Sequence, residues 1–192
     1  MKKNNFISIC ILLGLLLSTE NCSKNNTKNK DSELPPLTFE GNNTIGCKIN
    51  GEPWVPKGIF APGVTNYPTR GGYYIDPFYP NVHILLKTYD PEGEIELFCR
   101  NYSASRFIPP GKYYINKNTQ PINGSYEKHS YGLYYVNGKE YITDSLHNGW
   151  IDILKSDSIN SVISGKFEFT CFNATDGKSY NITDGRFDYK TH

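Results

Sequence analysis

The chain contains little that points to chemistry. Methionine occurs once, tryptophan twice and histidine four times in 192 residues. No His-Glu-x-x-His, Cys-x-x-Cys, Gly-x-Ser-x-Gly or phosphate-loop pattern is present, which removes the commonest zinc, redox, hydrolase and nucleotide readings. His83, His129, His147 and His192 stand apart, with no ligand spacing. A bias of charge is also missing. Residues 37–192 hold 15 Lys and Arg against 16 Asp and Glu, and the basic residues are scattered. A nucleic-acid surface needs a basic stripe, so no nucleic-acid partner is expected. Nor is a cofactor. The one long apolar run, Phe6 to Leu17, holds 12 residues. A bilayer-crossing helix needs about 20.

That run is informative in another way. Lys2 and Lys3 precede it and Cys22 follows it, which is the layout of an export signal. The segment Leu17-Ser18-Thr19-Glu20-Asn21-Cys22 resembles a bacterial lipobox, although Glu20 and Asn21 depart from its small residues. The resemblance implies cleavage before Cys22 and a diacylglyceryl group on its sulfur. Acyl chains anchor a protein by burying methylene groups, and stable anchoring takes more than one chain. Ordinary signal cleavage near Ser18 to Asn21 is the other reading. Residues 23–36 are polar, rich in Lys and Asn and without periodicity, as a flexible tether is. The expected organisation is a lipoprotein signal peptide over 1–21, a tether over 22–36 and a single domain over 37–192.

The domain reads as strands. Val82-x-Ile84-x-Leu86 and Ile95-x-Leu97-x-Cys99 alternate around Asp90-Pro91-Glu92-Gly93, with Glu94 and Glu96 on the opposite face. Alternation of this kind marks half-buried strands. Asn137-Gly138, between Tyr131–Val136 and Lys139–Thr143, predicts a tight hairpin, and Asn50-Gly51 repeats the device. Asn123-Gly124, Asn148-Gly149, Asp176-Gly177 and Asp184-Gly185 supply further turns. The expectation is an all-β fold, an antiparallel β-sandwich of eight to ten strands, with a small antiparallel barrel as the alternative. Cys47, Cys99 and Cys171 each fall on the apolar side of a strand pattern. Buried thiols are therefore expected, with one disulfide among the three as the other reading.

Two stretches carry a family resemblance. One is Cys47-Lys48-Ile49-Asn50-Gly51-Glu52-Pro53-Trp54. The other pairs Ile163-Ser164-Gly165-Lys166-Phe167-Glu168-Phe169 with Ile182-Thr183-Asp184-Gly185-Arg186-Phe187-Asp188. Together they resemble an uncharacterised family of exported lipoproteins from gram-negative bacteria, a domain of unknown function, over most of residues 40–190. The resemblance implies an extracytoplasmic β domain, lipid-anchored in the outer membrane, with either side of that membrane open. It transfers no activity. For Asp184-Gly185, a bulge that returns Phe187 to the core is the plainer reading. The functional reading is that Arg186 and Asp188 line a site.

Tyrosine is the surplus residue, at 15 copies. Tyr73-Tyr74, Tyr113-Tyr114 and Tyr134-Tyr135 put one ring on each sheet face, and exposed ring clusters mark interaction sites. The candidate binding surface is Trp54, Tyr73, Tyr74, Tyr134, Tyr135, Trp150, Arg186 and Asp188. It would serve a glycan or an envelope protein. An unrecognised hydrolase using loop carboxylates is the competing class, and a purely structural envelope protein a third. Asp90, Glu92, Glu94 and Glu96 form the sharpest acidic cluster, read as a solvated hairpin before a calcium site. Ser125-x-x-Lys128 lacks the companion motifs of penicillin-binding enzymes. Asp144-Ser145-Leu146 and Asp157-Ser158-Ile159 resemble the short Asp-Ser-aliphatic sites used for O-glycosylation in some gram-negative periplasms.

Overall fold

The computed structural model describes residues 33–61, 64–66, 69–75, 82–90, 93–101, 108–116 and 130–190. The export signal, Cys22 and residues 22–32 of the tether lie outside them, as do Ser125 to Lys128, His129 and His192.

Among the described residues the chain is all β, with no α-helix. The strands are β1 (Thr44–Ile49), β2 (Glu52–Trp54), β3 (Ile59–Ala61), β4 (Val64–Asn66), β5 (Thr69–Ile75), β6 (Val82–Thr88) and β7 (Glu94–Asn101). They continue with β8 (Gly111–Ile115), β9 (Tyr131–Val136), β10 (Lys139–Ile142), β11 (Gly149–Asp157), β12 (Val162–Asn173) and β13 (Lys178–Lys190). The expected hairpins form where backbone chemistry allows them. Asn137 and Gly138 take φ of 52° and 75°, and Asn50 and Gly51 take 50° and 86°. Positive φ at both central residues is what the tight turn requires, and Asn and Gly adopt it at least cost. Val136 therefore faces Lys139 across β9–β10, and Ile49 faces Glu52 across β1–β2.

Nine strands run in one antiparallel path, β2-β1-β13-β12-β10-β9-β7-β6-β5, within the expected eight to ten. β11 and β8 branch from β12, and β3–β4 form a separate pair. The three-residue strands are too short to show alternation in sequence, which is why the segments outnumber the expectation. The path is open at β2 and β5, so these strands do not close into a barrel.

β12 is where the sheet divides. Its first eight residues pair with β11 on one side, whereas Phe172 near its end pairs with Ile142 of β10. Two wings diverge from it and enclose a common core. Ile95, Leu97 and Cys99 of β7 meet Ile151 and Ile153 of β11, Phe167 and Phe169 of β12, and Ile45 and Cys47 of β1 in that core. The layers of the expected sandwich are thus two wings of a single sheet. Close approach is literal at Gly132 of β9, where an added Cβ would sit 3.0 Å from the Phe169 ring. At the entry to β1, Leu34 is buried and Pro35 packs over Gly46.

Candidate functional site

Strand alternation sorts the β8–β11–β12–β13 wing into two faces. Ile115, Ile151, Ile153, Phe167, Phe169 and Phe187 point into the core. Their neighbours point outward, and register sets them in rows across the strands. Tyr114 stands opposite Trp150, which stands opposite Glu168. One step along, Lys112, Asp152, Lys166 and Arg186 follow in order. Tyr114 is 72% exposed. Trp150 is half-buried, and Lys112 Nζ lies 4.3 Å from its ring centroid. A cation over an indole face is attracted by the ring quadrupole, by roughly 0.5–1 kcal/mol at an exposed site. Arg186 donates from Nε to the Asp184 carbonyl at 3.4 Å, and Lys48 pairs with Asp184 at 2.9 Å. The result is an outer face carrying two adjacent rings and Glu168 in one row, beside a row of three cations and one carboxylate.

Two of the sequence-predicted surface residues, Trp150 and Arg186, therefore share one face. Tyr114 and Lys112 complete it, although neither stood among the candidates. The signal for Tyr114 was there in the Tyr113-Tyr114 pair, of which Tyr113 turns inward and Tyr114 outward. The remaining candidates disperse. Trp54, on β2, packs partly buried against the core. Tyr134 is buried, its ring edge-on to Tyr180 at 5.0 Å, while Tyr135 emerges on the far side of β9. Tyr73 and Tyr74 lie on the backbone of β5, and their side chains are outside the described residues.

Asp188 has a different position. It is 1% exposed, and its carboxylate is saturated. Oδ1 accepts from Ser164 Oγ at 2.6 Å and Gly41 N at 2.8 Å. Oδ2 accepts from Thr38 Oγ1 at 2.6 Å, Glu40 N at 3.0 Å and Asn42 N at 3.2 Å. Burial alone would raise its pKa, but these donors outweigh burial and bring it down to about 2. No oxygen is left for a ligand, so Asp188 ties the segment before β1 to the end of β13. The neighbouring Asp184-Gly185 forms a bulge. Asp184 takes φ 53°, and a Cβ on Gly185 would lie 2.5 Å from the Phe167 carbonyl oxygen.

Of the acidic hairpin, Glu92 lies outside the described residues, and the described carboxylates are not gathered at one point. Buried Asp90 accepts the Lys57 amide at 2.8 Å, and Glu96 accepts the Tyr131 hydroxyl at 2.6 Å. Burial, then that bond to Glu96, pushes the Tyr131 phenol up. Cys47, Cys99 and Cys171 are free and buried. Desolvation raises all three thiols, Cys99 and Cys171 to about 12. One pairing escaped the sequence reading. His147 Nδ1 lies 3.0 Å from Asp144 Oδ1, and its ring stacks on Phe172 at 4.5 Å. The three-residue spacing within a turn was the available signal.

The model of one protein family, described as a domain of unknown function (DUF6252), matches residues 78–189. The chain belongs to that family. The match runs from just before β6 almost to the end of β13 and includes Lys112, Tyr114, Trp150 and Arg186, whereas Trp54, Tyr73 and Tyr74 precede it. No curated protein and no solved structure matches the chain.

Proposed function

We propose that this protein is a lipid-anchored binding module of a gram-negative cell envelope, and that its ligand is a glycan. The observation that carries the reading is the outer face of β8 and β11, where exposed Tyr114 adjoins Trp150 across the register. Flat rings pack against the apolar faces of sugar rings. Lys112, Lys166 and Arg186 offer donors to hydroxyl groups, and Asp152 offers acceptors. The address rests on the N-terminal pattern: Lys2 and Lys3, the apolar run, Cys22 and a polar tether. Lipid at Cys22 would hold the domain at the outer membrane.

Two measurements test this. Mass spectrometry of the mature N-terminus should find acylated Cys22, and a free N-terminus at any other residue refutes the anchor. A glycan array probed with the wild-type protein should yield a ligand that the double variant Tyr114→Ala/Trp150→Ala binds about tenfold or more weakly, the loss expected of central aromatic anchors. The unfolding midpoint of that variant should stay close to wild type. An empty array combined with specific capture of an envelope protein would move the ligand to protein. Failure of both would end the binding reading.

A further inference from the structure

Two turns at opposite ends of β11 have the same construction. In the first, Asp144 Oδ1 accepts the amides of Leu146 and His147 at 2.7 and 2.6 Å. In the second, Asp157 Oδ1 accepts the amides of Ile159 and Asn160, both at 3.0 Å. In each, the side chain three residues on returns to the same carboxylate: His147 Nδ1 at 3.0 Å, Asn160 Nδ2 at 2.8 Å. In each, the residue after the aspartate is an exposed serine, Ser145 or Ser158. The next is an aliphatic side chain almost fully in water, Leu146 at 85% and Ile159 at 91% exposed. These are the only two Asp-Ser-aliphatic tripeptides in the chain.

The turn geometry does not call for the serine or the aliphatic residue. An Asx turn needs the Asp or Asn oxygen and two amides. Asn173 caps Thr175 and Asp176 in the same way, at 2.8 and 3.2 Å, with Ala174 and Thr175 in the corresponding positions. Leu146 and Ile159 therefore contribute nothing to folding that a polar residue would not. Their repeated placement beside a rigidly presented hydroxyl fits recognition by an external catalyst, with the aliphatic group as its anchor and the serine as acceptor.

We infer that Ser145 and Ser158 are O-glycosylation sites. The inference rests on the envelope reading, because the modifying enzyme must meet this chain already exported. In the transfer, Ser Oγ attacks the anomeric carbon of a glycosyl phosphate or diphosphate donor. The C1–Oγ bond forms, the bond from C1 to the phosphate oxygen breaks, and the serine proton ends on the departing phosphate. A sugar suits these positions better than a phosphoryl group. A dianion would lie one residue from a carboxylate that its own turn holds ionised, and like charges repel. At Asp144 burial is the largest single influence and raises the pKa, but the bonds from His147 and Leu146 together bring it down; at Asp157 it is lowered chiefly by Asn160.

The test uses the full chain purified from its native cell. Peptide mass spectrometry should find a glycan mass on the peptides holding Ser145 and Ser158, removed by β-elimination. Ser145→Ala and Ser158→Ala should each abolish one. Leu146→Asp and Ile159→Asp should abolish modification with the serines intact, and all four proteins should keep the wild-type melting temperature. Unmodified Ser145 and Ser158 in the wild type overturn the proposal, and glycan persisting on both aspartate variants overturns the role of the aliphatic residue. Acylated Cys22 in the same spectra keeps the envelope reading standing when the serines are bare.

Discussion

Asp188 holds a negative charge out of water and gives it five hydrogen bonds in return. Removing the charge leaves buried donors without an acceptor, a penalty of about 1–3 kcal/mol for each group left bare. Asp188→Asn is expected to cost about 2–4 kcal/mol, read as a fall in the urea midpoint with an unchanged slope. The acid limb of stability should carry the same signature. With the folded pKa at about 2, the contribution is complete above the unfolded carboxyl value of about 3.9 and is lost as pH falls between them. In Asp188→Asn that segment of the pH profile should flatten. The thiols give a second check at this scale. Iodoacetamide reacts with thiolate, so burial and raised pKa should keep Cys47, Cys99 and Cys171 unlabelled in the folded protein and fully labelled in urea. A labelled native Cys99 would contradict the packing.

Between elements, glycine separates two kinds of constraint. At Gly149 an added Cβ would come 2.0 Å from the Glu168 carbonyl oxygen and 2.4 Å from the Phe169 Cα. Gly149→Ala must push β11 from β12 beside Trp150, at a cost of about 2–3 kcal/mol. At Gly138 nothing lies within 4 Å, and only φ of 75° resists a side chain. Gly138→Ala should cost about 1–2 kcal/mol, the ordinary left-handed penalty. Melting temperatures should rank the two variants in that order. Only the second constraint is visible in sequence. Asn-Gly between two alternating runs announces its own backbone, so both hairpins were legible. The contact of Gly149 with β12 depends on a partner about 20 residues away, and no local pattern carries it.

For the molecule as a whole, alternation and turn chemistry revealed the all-β class and the inward cysteines, because each depends on neighbours in the chain. The division of the sheet at β12 was not legible. It arises because a 12-residue strand is longer than either partner on that side, and that is a matter of tertiary pairing. The candidate surface was half legible for the same reason. Trp150 and Arg186 were singled out, but only register set Tyr114 and Lys112 beside them. Asp188 looked like their neighbour until its donors were known. A core shared by both wings also predicts a single transition. Trp54 lies on β2 and Trp150 on β11. Fluorescence of Trp54→Phe and Trp150→Phe variants should give coincident unfolding curves, matching far-UV circular dichroism. Both tryptophans lie on the β11–β12–β13 side of the division, so a circular dichroism midpoint apart from theirs would mean that the β10-to-β5 wing melts independently.

The Asp188 cluster also has a mechanical meaning. Thr44 at the start of β1 lies opposite Asp188, and the chain enters β1 through residues 38–42 that Asp188 grips. A pull on the segment before β1 loads these bonds before it reaches the β1–β13 ladder. Lys155 Nζ, bonded to the Phe39 carbonyl at 2.8 Å, shares the load from β11. The domain thus carries a strain relief at the end by which a tether would hold it. Stretched from that end, Asp188→Asn should yield at lower force than wild type, while a pull on the β9–β10 hairpin should not tell the two apart.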